Sequence, residues 1–162
     1  MSTEQTIRDF VDRFYAALNR TLNGDPESML ALWSHGPEAT VMHPDGARRM
    51  GWEEVRGAIE AWAAAVKDGR ITPRDVSIRL VTSDVAIVTA DELGQGTIGP
   101  ETVAVDSRST LVVRRDGAGW TAVHHHVDVA PRIRALVEAA RAAAGSVDLA
   151  NARIGPPQPA LS

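Results

Sequence analysis

The chain has 162 residues, 44% of them apolar and 23% charged, with a net charge of −4 and no cysteine. That balance fits one soluble globular domain long enough to bury a core. It excludes a disulfide framework, a thiolate nucleophile and cysteine-bound zinc, and it leaves no electrostatic footprint for nucleic acid.

Of the 17 basic residues only Lys67 is lysine, a compositional bias rather than a phosphate-binding pattern. The opening MSTEQTIRDF has no basic-then-apolar leader pattern. No apolar run approaches the roughly 18 residues of a membrane span. A cytoplasmic protein with no membrane or nucleic-acid partner is expected.

Residues 4–22 carry Ile7, Phe10, Val11, Phe14, Tyr15, Leu18 and Leu22 at the spacing of an amphipathic helix, which Asn23-Gly24 ends. Asp25-Pro26 opens a short second helix to about Trp33, with Asp as N-cap and Pro at the first helical position. Ala39–His43 reads as a strand turned by Pro44-Asp45-Gly46. A third helix follows Gly51, aligns Trp52, Val55, Ile59, Trp62 and Val66 on one stripe, and stops at Asp68-Gly69.

From Ile71 to Val129 the pattern becomes strands parted by turn signals: Val76–Val81, Val85–Gln95, Thr102–Arg115 and, beyond the hairpin turn Asp116-Gly117-Ala118-Gly119, a strand holding His124, His125 and His126. Pro131 opens an Ala-rich helix to about residue 145. A tail with Gly-Pro-Pro-Gln-Pro completes the chain.

Helices first and hairpin-spaced strands second predict an α+β fold. A curved antiparallel sheet wrapped around the three N-terminal helices makes a cone over residues 1–130, with one open mouth where a small-molecule cavity is expected. Residues 131–162 add a C-terminal helix and tail, packed on the cone or extending from it.

Side chains alternate along a strand. On the histidine strand, Thr121, Val123, His125, Val127 and Val129 form the more apolar set, so this set is expected to face the helices. That places His125 in the cavity wall between Val123 and Val127, and His124, His126 and Asp128 on the outer face. A β-bulge would reverse the assignment. His124-x-His126-x-Asp128 puts two imidazoles and a carboxylate on one face, a set that suits zinc or non-haem iron if further ligands join it. The alternative is a polar, hydrogen-bonded contact between two copies of the chain, and no metal or cofactor is assigned.

Several segments carry a family resemblance: Asn23-Gly24-Asp25-Pro26-Glu27, Ala39 to Gly46, Gly51-Trp52-Glu53-Glu54-Val55, and Arg114-Arg115-Asp116-Gly117 followed by Trp120 to His126. In order and spacing they resemble the SnoaL-like branch of the nuclear-transport-factor-two-like superfamily, over roughly residues 5–130. The resemblance implies a cystatin-like α+β cone, usually homodimeric through the outer face of the sheet. It does not imply one chemistry, because that superfamily includes ketosteroid isomerases, polyketide cyclases, scytalone dehydratase, epoxide hydrolases and non-enzymatic association domains.

The isomerases place a catalytic acid directly before the Pro-x-Gly turn, and His43 fills that slot here. An imidazole there can act as a general base near pH 7. Tyr15 is the candidate for the tyrosine that those enzymes carry on the first helix. Likeness to the kinase association domain turns Arg108 and Thr110 into the cavity, with Asp91 facing the same way from the neighbouring strand.

The expected catalytic residues are therefore His43, Asp91 and His125. The expected ligand contacts are Tyr15, Trp62, Arg108, Thr110, Val123 and Val127. Asp91 would orient an imidazole and Arg108 would bind a carboxylate or enolate oxygen. Alternatively, Arg108 and Asp91 form an ion pair between strands, and Tyr15 and Trp62 are core aromatics. Two functions follow: a cofactor-independent isomerase, lyase or cyclase for a hydrophobic oxygenated molecule, with His43 shuttling the proton, or a dimeric module that binds or associates without chemistry.

Overall fold

The computed structural model describes residues 1–117 and 119–144. Its elements are α1 (Thr3–Thr21), α2 (Glu27–Leu30), β1 (Thr40–Met42), β2 (Arg48–Met50), α3 (Trp52–Ala65), β3 (Val66–Leu80), β4 (Val85–Ile98), β5 (Glu101–Asp116), β6 (Gly119–Val127) and α4 (Pro131–Ala143). The predicted tail lies outside the described residues. The fold is α+β: six strands form one curved, unclosed sheet in the order β2-β1-β6-β5-β4-β3, with the helices against it.

Every pairing is antiparallel except that of β1 with β6, which is parallel and sets Thr40 beside His124 and Val41 beside His125. β2, the strand after the Pro44-Asp45-Gly46 turn, has no signal of its own in the sequence, since Arg48-Arg49-Met50 shows no apolar alternation.

The core lies between α1, α3 and the inner face of the sheet. Ile7, Phe10 and Phe14 of α1 meet Val55 and Ile59 of α3 and Val88, Leu111 and Val113 of the sheet. Burying each such side chain contributes about 1.5–3 kcal/mol. Polar bonds fix the helix register: Trp120 Nε1 donates to Thr6 Oγ1 at 3.0 Å, and the Asn19 amide bonds both the N–H and the C=O of Ile71.

Asp68-Gly69 does not stop a helix and start a loop. α3 ends at Ala65 and β3 begins at once, with Asp68 and Asp75 as positive-φ residues at two register shifts against β4. Aspartate tolerates that conformation, and such bulges bend a strand and raise its twist. Beside the first bulge the strands close up so far that a Cβ on Gly94 would lie 1.8 Å from the Arg70 carbonyl oxygen, so only glycine fits.

A third irregularity sits in β6. Val112 pairs with His124 but Val113 pairs with Ala122, which leaves Val123 as an extra residue. Alternation is reset there: Trp120 and Ala122 are buried, then His125 and Val127. Beyond β6, Ile133, Leu136 and Val137 of α4 form a second apolar cluster with Val66, Ile98 and Val103 at the far end of the sheet.

Candidate functional site

A cavity runs between α1, α3, α4 and the inner face of the sheet, with about 100 Å³ within reach of water-molecule centres. On that measure one water needs roughly 10–15 Å³, so the space accommodates several waters or one ring-sized molecule. Its walls are apolar, from Phe14 and Leu18 of α1 to Val127 of β6 and Ile133 of α4. Into this wall the fold sets Glu92 from β4, His125 from β6 and, at the end of β1, His43.

Glu92 and His125 are 3% and 5% exposed, and His125 Nε2 lies 3.1 Å from Glu92 Oε1. The Tyr15 hydroxyl donates to the same oxygen at 3.0 Å and lies 3.2 Å from Ser109 Oγ. Burial by itself would push the Glu92 carboxyl up. The hydrogen bond and charge of His125, then the bonds from Tyr15 and Ser109, outweigh it and hold the group below its ordinary value. The Tyr15 hydroxyl is pushed up by burial and by the Glu92 charge, so it stays protonated and donates.

A carboxylate only accepts hydrogen bonds, so the His125 proton facing Glu92 is on Nε2. In the neutral ring Nδ1 then carries the lone pair, and His125 makes no other hydrogen bond among the described residues. The edge of the ring packs against Phe14, with centroids 5.1 Å apart, which fixes its plane.

His43 is held differently. Trp62 Nε1 donates to His43 Nδ1 at 2.8 Å. Burial pushes the imidazole down to about 4, with Asp45 and Glu92 opposing and His125 and Arg49 reinforcing.

The structure thus brings His43, His125, Trp62 and Val127 to one cavity and puts Tyr15 directly behind Glu92. It does not bring Asp91, Arg108, Thr110 or Val123 there. Asp91 is exposed, because the buried set of β4 is Ala86, Val88, Ala90 and Glu92. Arg108 is exposed and its Nε donates to Asp128 Oδ2 at 2.8 Å, so its ion partner is Asp128 rather than Asp91. Thr110 shares that outer face, since Ser107, Ser109 and Leu111 are the buried residues of β5. Val123 is the bulged residue and is only half-buried. For Asp91, Arg108 and Thr110 the reason is the same: strand side chains have a period of two, so an offset of one residue exchanges the faces; for Val123 it is the bulge.

The residues missed were Glu92 and Ser109. Alternation contained a signal for Ser109, because Val103, Val105, Leu111 and Val113 on its face are more apolar than Asp106, Arg108, Thr110 and Arg114, whereas on β4 the set of Ile87 and Leu93 is as apolar as that of Glu92. The likeness to an arginine-bearing cavity pointed to the opposite set.

His124, His126 and Asp128 lie on the outer face. His124 Nδ1 is 2.7 Å from Thr40 Oγ1, and Asp128 is held by Arg108. Among the described residues no group of three or more His, Cys, Asp or Glu side chains is arranged to hold a metal ion. Nor is any described helix long and apolar enough to cross a membrane.

A curved sheet closed on helices around a lined cavity is the architecture of the cystatin-like, nuclear-transport-factor-2-like cones. The chain belongs to the SnoaL-like domain family, whose sequence model matches residues 7–130. α4 lies beyond that match.

Among solved structures, one similar protein is from Streptomyces avermitilis, provisionally described as a dehydratase of the nuclear-transport-factor-2-like family. It shares 23% identity over 78% of this chain and 95% of its own, with a TM-score of 0.68. A second is from Thiobacillus denitrificans, provisionally a calcium/calmodulin-dependent protein kinase type II association domain. It shares 29% identity over 77% of this chain and 95% of its own, with a TM-score of 0.58. A third, from Novosphingobium aromaticivorans and provisionally a scytalone dehydratase, shares 13% identity over 76% and 81%, with a TM-score of 0.66. Comparison with curated proteins gave no match.

Proposed function

We propose that the cavity binds a small, largely apolar molecule bearing oxygen functions, and that the protein performs cofactor-independent acid–base chemistry on it, as an isomerase, lyase or cyclase. The observation that carries this reading is the buried contact of Glu92 with His125 at the cavity wall, 3.1 Å long. A carboxylate bonded to one imidazole nitrogen orients the ring and fixes its tautomer, which leaves the other nitrogen to take a proton from the ligand. In this reading His125 is the general base, Glu92 and Tyr15 position it, and His43 acts as a partner on the ligand rather than as the proton shuttle.

The test is exchange of the α-protons of a panel of ring-sized ketones and hydroxyketones for deuterium, followed by NMR. The wild-type chain accelerates exchange of at least one compound, and His125→Ala lowers the rate by roughly 100-fold or more while the compound still shifts the melting temperature. Equal exchange in the two proteins would remove the catalytic reading.

The solved structures provisionally described as association domains favour a second reading, a dimer that binds without chemistry. Its contact surface would be the outer sheet face around Thr40, His124 and His126, which are half-buried in the single chain. Light scattering of the wild type beside a His124→Glu, His126→Glu double variant checks the surface: a dimer that becomes a monomer supports it, and an unchanged mass rejects it.

A further inference from the structure

His43 and Trp62 form a bonded pair whose chemistry is more restricted than that of a free histidine. The His43 backbone is fixed in a tight turn, its N–H bonded to the Ala47 carbonyl at 3.1 Å and its C=O accepting from the Gly46 N–H at 3.0 Å. The ring meets Trp62 edge-on, at 5.4 Å between centroids and 77° between planes, with indole Nε1 at 2.8 Å from Nδ1. An indole N–H has no lone pair and can only donate. His43 Nδ1 must therefore carry the lone pair, and in the neutral ring the proton sits on Nε2.

Protonating the ring would set a second N–H against the indole N–H and lose the bond. The groups facing His43 are Asp45, Arg49, His125 and Glu92, and burial outweighs their mixed charges to disfavour the imidazolium. Nε2–H makes no hydrogen bond among the described residues, although the ring borders the main cavity.

The two cavity histidines thus have opposite polarity. In its neutral form His125 presents a lone pair on Nδ1, because Glu92 accepts from Nε2–H. His43 presents a donor on Nε2, because Trp62 holds its Nδ1 lone pair. No lysine or arginine lines the cavity among the described residues, and the carboxylate in its wall is Glu92. An anionic ligand would meet that carboxylate with no lysine or arginine among the described lining residues to offset it.

We propose that Trp62 is a positioning residue that locks His43 as a neutral Nε2–H donor, and that this donor holds the carbonyl oxygen of an uncharged, ring-sized ligand. The ligand half of this proposal deepens the acid–base reading above, whereas the lock stands without it. The arrangement uses one imidazole to hold oxygen and the other to accept a proton, so His43 keeps its protonation state while His125 takes up the proton.

Long-range proton–nitrogen NMR of histidine-labelled protein tests the lock. At pH 7 the wild-type spectrum should show His43 with a protonated Nε2 and an unprotonated Nδ1, unchanged in His125→Ala. Trp62→Phe should turn it into a tautomer mixture that titrates at higher pH. A wild-type His43 that is protonated on Nδ1, or charged at pH 7, overturns the lock. The wild-type spectrum decides this even if Trp62→Phe fails to fold.

Cyclohexenone and benzoate test the ligand half. Cyclohexenone should move the His43 Nε2 signal and bind at least tenfold more tightly than benzoate, and Trp62→Phe should weaken it roughly tenfold. Tighter binding of benzoate, or a His43 signal unmoved by saturating cyclohexenone, overturns this half. His125→Ala distinguishes the readings: it abolishes deuterium exchange if the base assignment is right, and leaves the His43 tautomer and cyclohexenone binding in place if the lock is right.

Discussion

Tyr15 and His125 meet on one oxygen: Oε1 of Glu92 accepts from the tyrosine hydroxyl at 3.0 Å and is 3.1 Å from the imidazole Nε2. Three elements distant in sequence, α1, β4 and β6, are tied at that atom. Glu92→Gln removes the charge that both partners address. It should destabilise the fold by roughly 2–4 kcal/mol. Tyr15→Phe removes one donor and should cost about 1–2 kcal/mol. Because both substitutions act on the same oxygen, the double variant should lose less than the two losses added. Urea denaturation of the four proteins closes the cycle, and strict additivity would show that the bonds are not coupled.

Stability should fall in mildly acid solution. Unfolded, His43 binds a proton near its ordinary value of 6.5; folded, it does so only near about 4. Between those values the unfolded chain holds more protons, so the stability that the neutral ring contributes is present above pH 6.5 and is lost as pH falls through 4. The loss across the window should be roughly 1–3 kcal/mol. Glu92, also held below its ordinary value, acts in the same direction at lower pH, where its carboxylate is protonated. Denaturation midpoints for wild type and His43→Asn between pH 7 and pH 4.5 separate the contributions, since the variant should show the shallower dependence.

Deleting Val123 should remove the bulge and leave the histidine strand facing as it does now. Val123 is the extra residue that lets Ala122 and His125 both face inward. Without it Ala122 and His124 become neighbours, opposite Val113 and Val112, and a regular β6 paired from the hairpin keeps Ala122, His125 and Val127 inward. The expected result is a chain that folds cooperatively and keeps its Glu92–His125 contact, read by urea denaturation and by the His125 NMR signals; a lost contact would show that the bulge itself positions the ring. Val123→Ala, which keeps the residue count, should fold with a loss of about 1 kcal/mol.

Arg108→Ala should change little. Its side chain is 82% exposed and its Asp128 partner 40% exposed. Such pairs contribute about 0–1 kcal/mol. Melting temperature and cyclohexenone affinity should match wild type, whereas an arginine binding the ligand from within the cavity would make affinity collapse.

Most of the fold was legible because it rests on local periodicity. The apolar stripe of α1, the N-terminal signal at Asp25-Pro26 and the Asp116–Gly119 hairpin turn each state their structure within a few residues. The boundary of α3 was not legible, since Asp68-Gly69 is ambiguous: the same pair that ends a helix also makes a bulge inside a strand. The parallel contact of β1 with β6 joins residues about 80 apart, and nothing local announces it.

The site divides along the same line. Composition and order determine that this is an α+β SnoaL-like chain with His43 before a tight turn and His125 in a strand. Only the tertiary structure decides that Glu92, and not Asp91, is its buried acid, that Arg108 belongs to the outer surface, and that Trp62 takes one nitrogen of His43. The physical reason is that a strand specifies two faces without saying which is inside. That choice is made by pairing register and by a single inserted residue, and both are properties of the whole sheet.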